Sequence, residues 1–431
     1  MNYIRQILYD LRQQPLVTWI TLTGTALAIF LIMAVFMVNR IKVVEVSPES
    51  NRSRILYGAF IDIYFNDGSG SGSGGLAYET ACEIYSNLKG IETLSFVEHW
   101  NNTAEIGVPG QQDLDVEVKN VDANFWRIYD FNFSQGVPFD SVAVDAGAKY
   151  VVITEETATR LFGKDAEAVG QEVKLNMIPY IVSGVINNAN PLMPNSFAQV
   201  YKPVELKYIE PEWIVYRGPL TVVMLMRDGV THDEVAEEVQ ARYVTFNNRI
   251  QKEGMTAVYH GSPYDTETMS EPFGSNRTPD IETPRRQRLI TYMLLLLLPA
   301  INLSSMTRSR MRQRVAEIGV RRAFGCRRSR IVWQLLCENF FITLAGGIIG
   351  LGLSIIFVLF ASNYFVNYIG SWIPDNLDQI FATPTFEMLF NWGSFGFAML
   401  FCFLLNLLSA GIPAWKASKI NPARALNSRG K

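Results

Sequence analysis

The stretch whose residue types could do work is Met306–Gly325, MTRSRMRQRVAEIGVRRAFG. Read as a helix, it sets Arg308 and Arg312 four apart, and likewise Arg310 and Arg314, while Glu317 can pair with Arg321 one turn on. Gly319 and Gly325 loosen or stop such a helix, and a second basic patch, Arg327-Arg328-Ser329-Arg330, follows at once. Between Arg308 and Arg330 stand nine arginines and one acid. Two readings of this segment stand side by side. A stiff charged helix tied at both ends to membrane spans passes force across a bilayer; an arginine cluster without mechanical duty fixes topology.

Other candidate chemistry falls away. His99, His232 and His260 have neither the spacing of a metal helix motif nor a nearby cysteine pair, and read as single surface histidines. The tract Asn66–Gly75, NDGSGSGSGG, lacks the Gly-Lys-Ser/Thr ending of a phosphate cradle, and its alternating glycine and serine read as a flexible loop. No Gly-x-Ser-x-Gly occurs, and the carboxylates scatter as on a solvated surface. The expectation is a protein with no catalytic, cofactor or metal site: not an enzyme.

The elements around these residues are membrane spans. No charge occurs between Arg12 and Arg40, and Leu289–Thr307 is an uncharged run of 19 residues. A third apolar region starts at Ile331, is broken by Glu338 and runs uncharged to Pro374, and a fourth covers Met388–Trp415. Globular helices must show one face to water and rarely repeat such runs. The loop 362–387 has no Lys or Arg and carries Asp375, Asp378 and Glu387, whereas the tail after Pro413 holds Lys416, Lys419, Arg424, Arg429 and Lys431. The positive-inside rule then puts both ends and the arginine-rich connector in the cytoplasm. Basic pieces facing anionic lipid or a docking protein explain the charge better than nucleic acid does.

The expected fold class is an α-helical four-span membrane protein with a large inserted α+β extracytoplasmic domain. Its parts are an amphipathic cytoplasmic helix (1–15), span one (16–39), the outer domain (40–285), span two (286–306), the cytoplasmic connector (307–330), span three (331–361), a short outer loop (362–387), span four (388–412) and a cytoplasmic tail (413–431). Within the outer domain the patterning predicts strands at Arg54–Phe65, Thr93–Trp100, Asp113–Val121, Tyr150–Ile153, Gln171–Leu175, Tyr180–Ile186, Leu220–Met226 and Met255–Tyr259. It predicts helices at Tyr78–Leu88, Glu155–Phe162 and His232–Gln251. Cys82 is the one cysteine outside, so an ordinary apolar core must hold the domain.

The run Arg314–Gly350 resembles the permease module of MacB/FtsX-type ABC transporters, the group that includes the lipoprotein-releasing LolC and LolE proteins. Glu317, Gly319, Arg321, Arg322, Gly325, Arg328, Ile331, Gln334 and Glu338 match its E-x-G-x-R-R-x-x-G-x-x-R-x-x-I-x-x-Q-x-x-x-E pattern. Pro413 to Leu426 is similar to the family's closing segment; Asn124-Phe125-Trp126, Gly136-Val137-Pro138-Phe139 and Val151–Val173 are similar to its periplasmic domain.

The resemblance implies a bacterial inner-membrane permease working as a homodimer or heterodimer with a second permease, bound to a separate cytoplasmic ABC ATPase subunit. Glu317, Gly319, Arg321, Arg322, Gly325 and Arg328 are then the ATPase-coupling contacts, and ATP-driven closure moves the outer domains by mechanotransmission. A periplasmic adaptor or outer-membrane protein and membrane lipid are further partners; no nucleic acid and no cofactor is expected. The chain begins about 15 residues before its first span without a Walker motif, so hydrolysis is expected from the partner. The alternative is an FtsX-type signalling or regulatory protein controlling a periplasmic partner such as a cell-wall hydrolase.

Overall fold

The computed structural model describes residues 15–187, 189–206, 216–271, 275–295, 297, 320, 324–369 and 384–404. The chain divides into two units: one of residues 1–40, 283–361 and 385–431, the other of residues 41–282 and 362–384.

In the first unit, α1 (Pro15–Ile41) contains a stretch, Thr18–Ile41, long and apolar enough to cross a membrane. A 42-residue helix, Arg328–Ile369, contains the second such stretch, Phe340–Ser362. It runs on past residue 361, where span three is expected to end. Residues 282–295 are helical, and Trp392–Leu404 forms a shorter apolar helix. The remainders of expected spans two and four, residues 1–14 of the expected amphipathic helix and the tail 413–431 lie outside the described residues.

Glycines on the long helix let its neighbours come close. A Cβ on Gly350 would stand 2.5 Å from the Ala26 carbonyl oxygen of α1, and one on Gly347 would stand 2.0 Å from Met399 Sδ. Gly346 faces Thr25 one turn earlier, so Gly346 and Gly350 form the small-xxx-small pattern that lets apolar helices pack backbone to backbone. Gly350→Ala is expected to cost about 1–2 kcal/mol of packing in this unit, because a backbone oxygen cannot rotate away. A lower melting temperature of the purified chain, with no loss in a Gly352→Ala control whose site is open, checks this.

The second unit is α+β. Its strands in the first half are β1 (Ile55–Gly58), β2 (Ile61–Phe65), β3 (Ser71–Leu76), β4 (Ile91–Glu98), β5 (Asn102–Gly107), β6 (Leu114–Val121) and β7 (Phe133–Gly136). Then come β8 (Tyr150–Thr154), β9 (Glu172–Leu175), β10 (Ile178–Ile186), β11 (Val200–Pro203), β12 (Arg217–Gly218), β13 (Leu220–Met226), β14 (Met255–Val258) and β15 (Tyr264–Asp265). The helices expected at 155–162 and 232–251 are α2 (Glu155–Phe162) and α3 (His232–Gln251).

The centre is β13, antiparallel to β1 on one side and β4 on the other. All seven of its residues are buried. Because strand side chains alternate between faces, Leu220, Val222, Met224 and Met226 enter one core with α3, while Val223 and Leu225 enter a second with Tyr57, Phe125 and Tyr201. On α3, Val235, Val239, Tyr243, Phe246 and Ile250 are the buried residues, a helical spacing, and Thr231 caps its first turn by accepting from Glu234 N. A third core lies under β8, β9 and β10 around Val151, Ile153, Val173, Val182 and Val185.

β6 ties the cores together. Its first half pairs with β5, its second half runs parallel to β11, and Val121 pairs with Val97 of β4. Val116 and Val118 belong to the third core and Val121 to the second.

Two expectations change. The tract 66–75 is not all loop: Ser71–Leu76 is β3, antiparallel to β2 with Ile61 opposite Gly74 and Tyr64 opposite Ser71. Two of its three glycines have neighbours where side chains would be: a Cβ on Gly72 would stand 2.3 Å from Arg217 Cζ, and one on Gly75 2.6 Å from Gly218 O, while Gly74 faces open space. The strand expected over Arg54–Phe65 is two strands. The break at Ala59-Phe60 takes the chain from the β13 neighbour into the β2–β3 hairpin.

Candidate functional site

Of the six expected coupling residues, Glu317, Gly319, Arg321 and Arg322 lie outside the described residues. At the end of the segment, Phe324 N donates to Val320 O at 3.1 Å. Gly325 follows with φ +86°, a left-handed conformation that ends the turn without the Cβ penalty another residue meets. Arg328 opens the long helix. The left-handed backbone at Gly325 suits a residue read from the sequence as loosening or stopping a helix, and the Phe324 ring beside it is 88% exposed.

A second constellation, which the sequence does not reveal, lies within the second unit around its first residues, 41–52. Arg52 Nη1 donates to the carbonyl of Ile41, the last residue of α1, at 2.7 Å. Arg52 Nε donates to Glu49 Oε2 at 2.5 Å, and Glu49 Oε1 accepts from Ser196 N at 3.1 Å and Ser196 Oγ at 2.6 Å. Glu49 is 0% exposed and Arg52 3%. Next to Ile41, the buried Lys42 ammonium lies 3.4 Å from Glu271 Oε1. Thr266 Oγ1 donates to Arg52 O at 3.0 Å, and Ser50 Oγ donates to Asp130 Oδ2 at 2.6 Å.

The chemistry of this neck is that of a buried structural clamp. A helix ends with carbonyls that have no partner of their own, and a guanidinium there meets both the carbonyl and the negative end of the helix dipole. Arg52 spends one nitrogen on that end and another on a carboxylate whose second oxygen is held by Ser196. Segments 41–52, 130, 196 and 266–271 are thereby pinned to one another. Burial, and next the Glu49 carboxylate, push the Tyr57 phenol far up, so it stays neutral against Tyr129.

The histidines are not bare surface residues. His260 Nε2 lies 2.8 Å from Oδ2 of the buried Asp62, with Thr278 Oγ1 3.1 Å from the other ring nitrogen. His232 Nε2 lies 2.9 Å from Pro263 O. His99 Nδ1 lies 2.6 Å from Thr221 Oγ1, with the ring between Phe60 and Trp100. Burial first, and then the nearby Lys119, push the His99 imidazole down to about 4. Lys119 itself, on β6, is pushed down to about 8 by burial, against the opposing pull of Glu117 and Glu49. Among the described residues, no three His, Cys, Asp or Glu side chains gather as a metal set.

His99 is therefore neutral in the fold, where the unfolded chain protonates near its ordinary value. The stability this contributes is complete above about pH 6.5 and is lost as pH falls from there through about 4. Denaturation midpoints across pH 7 to 4 are expected to fall, and His99→Phe is expected to flatten the part of that slope below about 6.5. An unchanged slope in the variant places the acid sensitivity elsewhere.

Residues 18–242 match the MacB-like periplasmic core domain family, and residues 289–422 match the FtsX-like permease C-terminal family. The chain is 26% identical over 322 residues to the "Probable export ATP-binding/permease protein MacB" of Pseudomonas entomophila (strain L48), covering 73% of this chain and 42% of that protein. It is 23% identical over 442 residues to the "Macrolide export ATP-binding/permease protein MacB" of Salmonella typhi, covering 98% of this chain and 61% of the relative. The chain thus spans 42% to 61% of the length of these curated relatives. The crystal structure of the periplasmic region of MacB from Actinobacillus actinomycetemcomitans aligns over 50% of this chain and 95% of its own length, with a TM-score of 0.34 and 15% identity.

Proposed function

The chain belongs to the MacB/FtsX-type family of ABC transporter permeases, in which a MacB-like periplasmic core domain is joined to an FtsX-like permease domain, and from that membership we propose that it is the non-catalytic subunit of an exporter. It couples ATP hydrolysis by a separate cytoplasmic ABC ATPase to movement of its outer domain by mechanotransmission. It spans the inner membrane four times, at 16–39, 286–306, 331–361 and 388–412, with both ends and the connector 307–330 in the cytoplasm. It pairs with a second permease, identical or not, and the work it does outside is export or release of a peptide, lipoprotein or small hydrophobic molecule. A periplasmic adaptor or outer-membrane protein takes up that work.

The observation that carries this reading is the neck. A helix that tilts in the membrane does work on an outer domain only if the joint does not slip, and a slipping joint is what a solvated, glycine-rich linker makes. Here the last carbonyl of α1 and the residue after it are held by Arg52 and Glu271 in a buried network. The first residues of the outer domain are thereby fixed to its own core, which the proposed scheme requires.

The test is a spin-label distance between protomers, with Lys164→Cys in the exposed turn that follows α2 in a chain whose four native cysteines are replaced, reconstituted with a cytoplasmic ABC ATPase. The expected result is co-purification of the ATPase and an inter-label distance that changes between ATP-bound and nucleotide-free states. An ATPase that fails to co-purify, or a distance indifferent to nucleotide, overturns the proposal.

A further inference from the structure

The outer unit contains a cleft of about 530 Å³ that the exporter reading does not use. Its walls come from all three cores: Tyr78 packs on the first, Val144 belongs to the second and Tyr180 to the third. Leu206, also in the wall, packs against the first and the second. The volume lies within the roughly 300–1,000 Å³ typical of small-molecule sites.

Charge decides what fits. Lys149 and Lys202 line the cleft with Asp145 and Glu205, yet among the described residues none of these lysines forms an ion pair with either acid. The Lys149 ammonium instead stands 5.5 Å from the centre of the Tyr180 ring, on the cleft wall. Tyr78 supplies a second ring, and burial, then Cys82 and more weakly the Asp145 carboxylate, push its phenol up so that it remains a neutral donor. The lining also contains the apolar Val144, Pro203, Val204 and Leu206. Two cations and two anions that form no ion pair with one another, in a lining shared with apolar and aromatic side chains, complement a ligand that carries both signs of charge around an apolar body.

We propose that this cleft binds a small zwitterionic amphiphile, its anionic group meeting Lys149 and Lys202, its cationic group meeting Asp145 and Glu205, and its apolar part lying between Tyr78 and Tyr180. A ligand seated there touches all three cores at once. It therefore binds one arrangement of the cores more tightly than others, and shifts the outer unit toward that arrangement by the difference. The inference stands apart from the ATPase reading, since binding needs no nucleotide.

The experiment titrates the tripeptide Leu-Tyr-Leu, a free-ended zwitterion, into the full chain in lipid nanodiscs by calorimetry, with empty nanodiscs as the blank. One saturable site is expected, and blocking both ends, as N-acetyl-Leu-Tyr-Leu-amide, is expected to weaken binding at least about tenfold. Amidating the carboxylate alone is expected to cost affinity in the parent but not in the Lys149→Met/Lys202→Met variant. Acetylating the amine alone is expected to cost affinity in the parent but not in Asp145→Asn/Glu205→Gln. Heat no larger than the blank, equal binding of free and blocked peptide, or a variant that keeps the parent's sensitivity to its cognate block overturns the assignment.

Discussion

Arg52→Met is expected to destabilise the outer unit by about 3–5 kcal/mol, the cost of leaving one member of a buried ion pair without the other. Glu49 has no access to solvent and keeps only its Ser196 donors once the guanidinium is gone. The Ile41 carbonyl loses its donor in the same step. The double variant Arg52→Met/Glu49→Met removes both charges and is expected to recover most of the loss, since replacing a whole buried pair by apolar groups is often close to neutral. A chain of two units need not melt in one step, so hydrogen exchange of the β13 amides, at the centre of the outer unit, is the suitable measurement. A loss below about 1 kcal/mol in the single variant, or no recovery in the double, removes the neck from the account of how this domain is held.

That network was hidden from sequence reasoning for a physical reason. Glu49 and Ser196 are 147 positions apart, and Lys42 and Glu271 are 229 apart, so no periodicity or spacing joins them. Each residue taken alone reads as one more charge near a membrane. By contrast, α2, α3 and β13 fall on the residues the sequence predicts. Thr154 and Thr231 supply caps at the two helix starts, and β13 is apolar on both faces because both faces are cores.

Strands of weak composition were the misses. β5 reads NTAEIG, with only Ala104, Ile106 and Gly107 buried, and it is held by its partners β6 and β9 rather than by its own pattern. β3 is a glycine–serine tract made into a strand by the hairpin and by Arg217 and Gly218 pressing on it. His99 and His260 were read as surface residues because burial of a polar side chain depends on the partners that meet it, Thr221 and Asp62, and those come from other strands.

The coupling segment is where the proposed function meets its own sequence most directly. In the proposed scheme a cytoplasmic event reaches spans two and three through the segment Met306–Arg330 that joins them. Its arginines suit an anionic lipid surface, but Glu317 does not: a carboxylate beside such headgroups is repelled unless it pairs with Arg321 or meets a donor on a partner protein. Gly319, with no side chain, leaves the backbone open to a close approach by that partner. Gly325 is left-handed at φ +86°, and the long helix begins at Arg328; in the proposed scheme this is where force on the connector would enter the span. Glu317→Lys and Gly319→Trp are therefore each expected to leave insertion and the outer fold intact while weakening ATPase docking by about 1–3 kcal/mol, roughly 5- to 150-fold in affinity. Arg429→Ala, in the tail, is expected to do much less. Pull-down of the ATPase with each variant, beside its hydrolysis rate in reconstituted membrane, reads the effect. If both connector variants bind and stimulate the ATPase as the parent does, the arginine-rich segment fixes topology only, and the force must enter the membrane elsewhere.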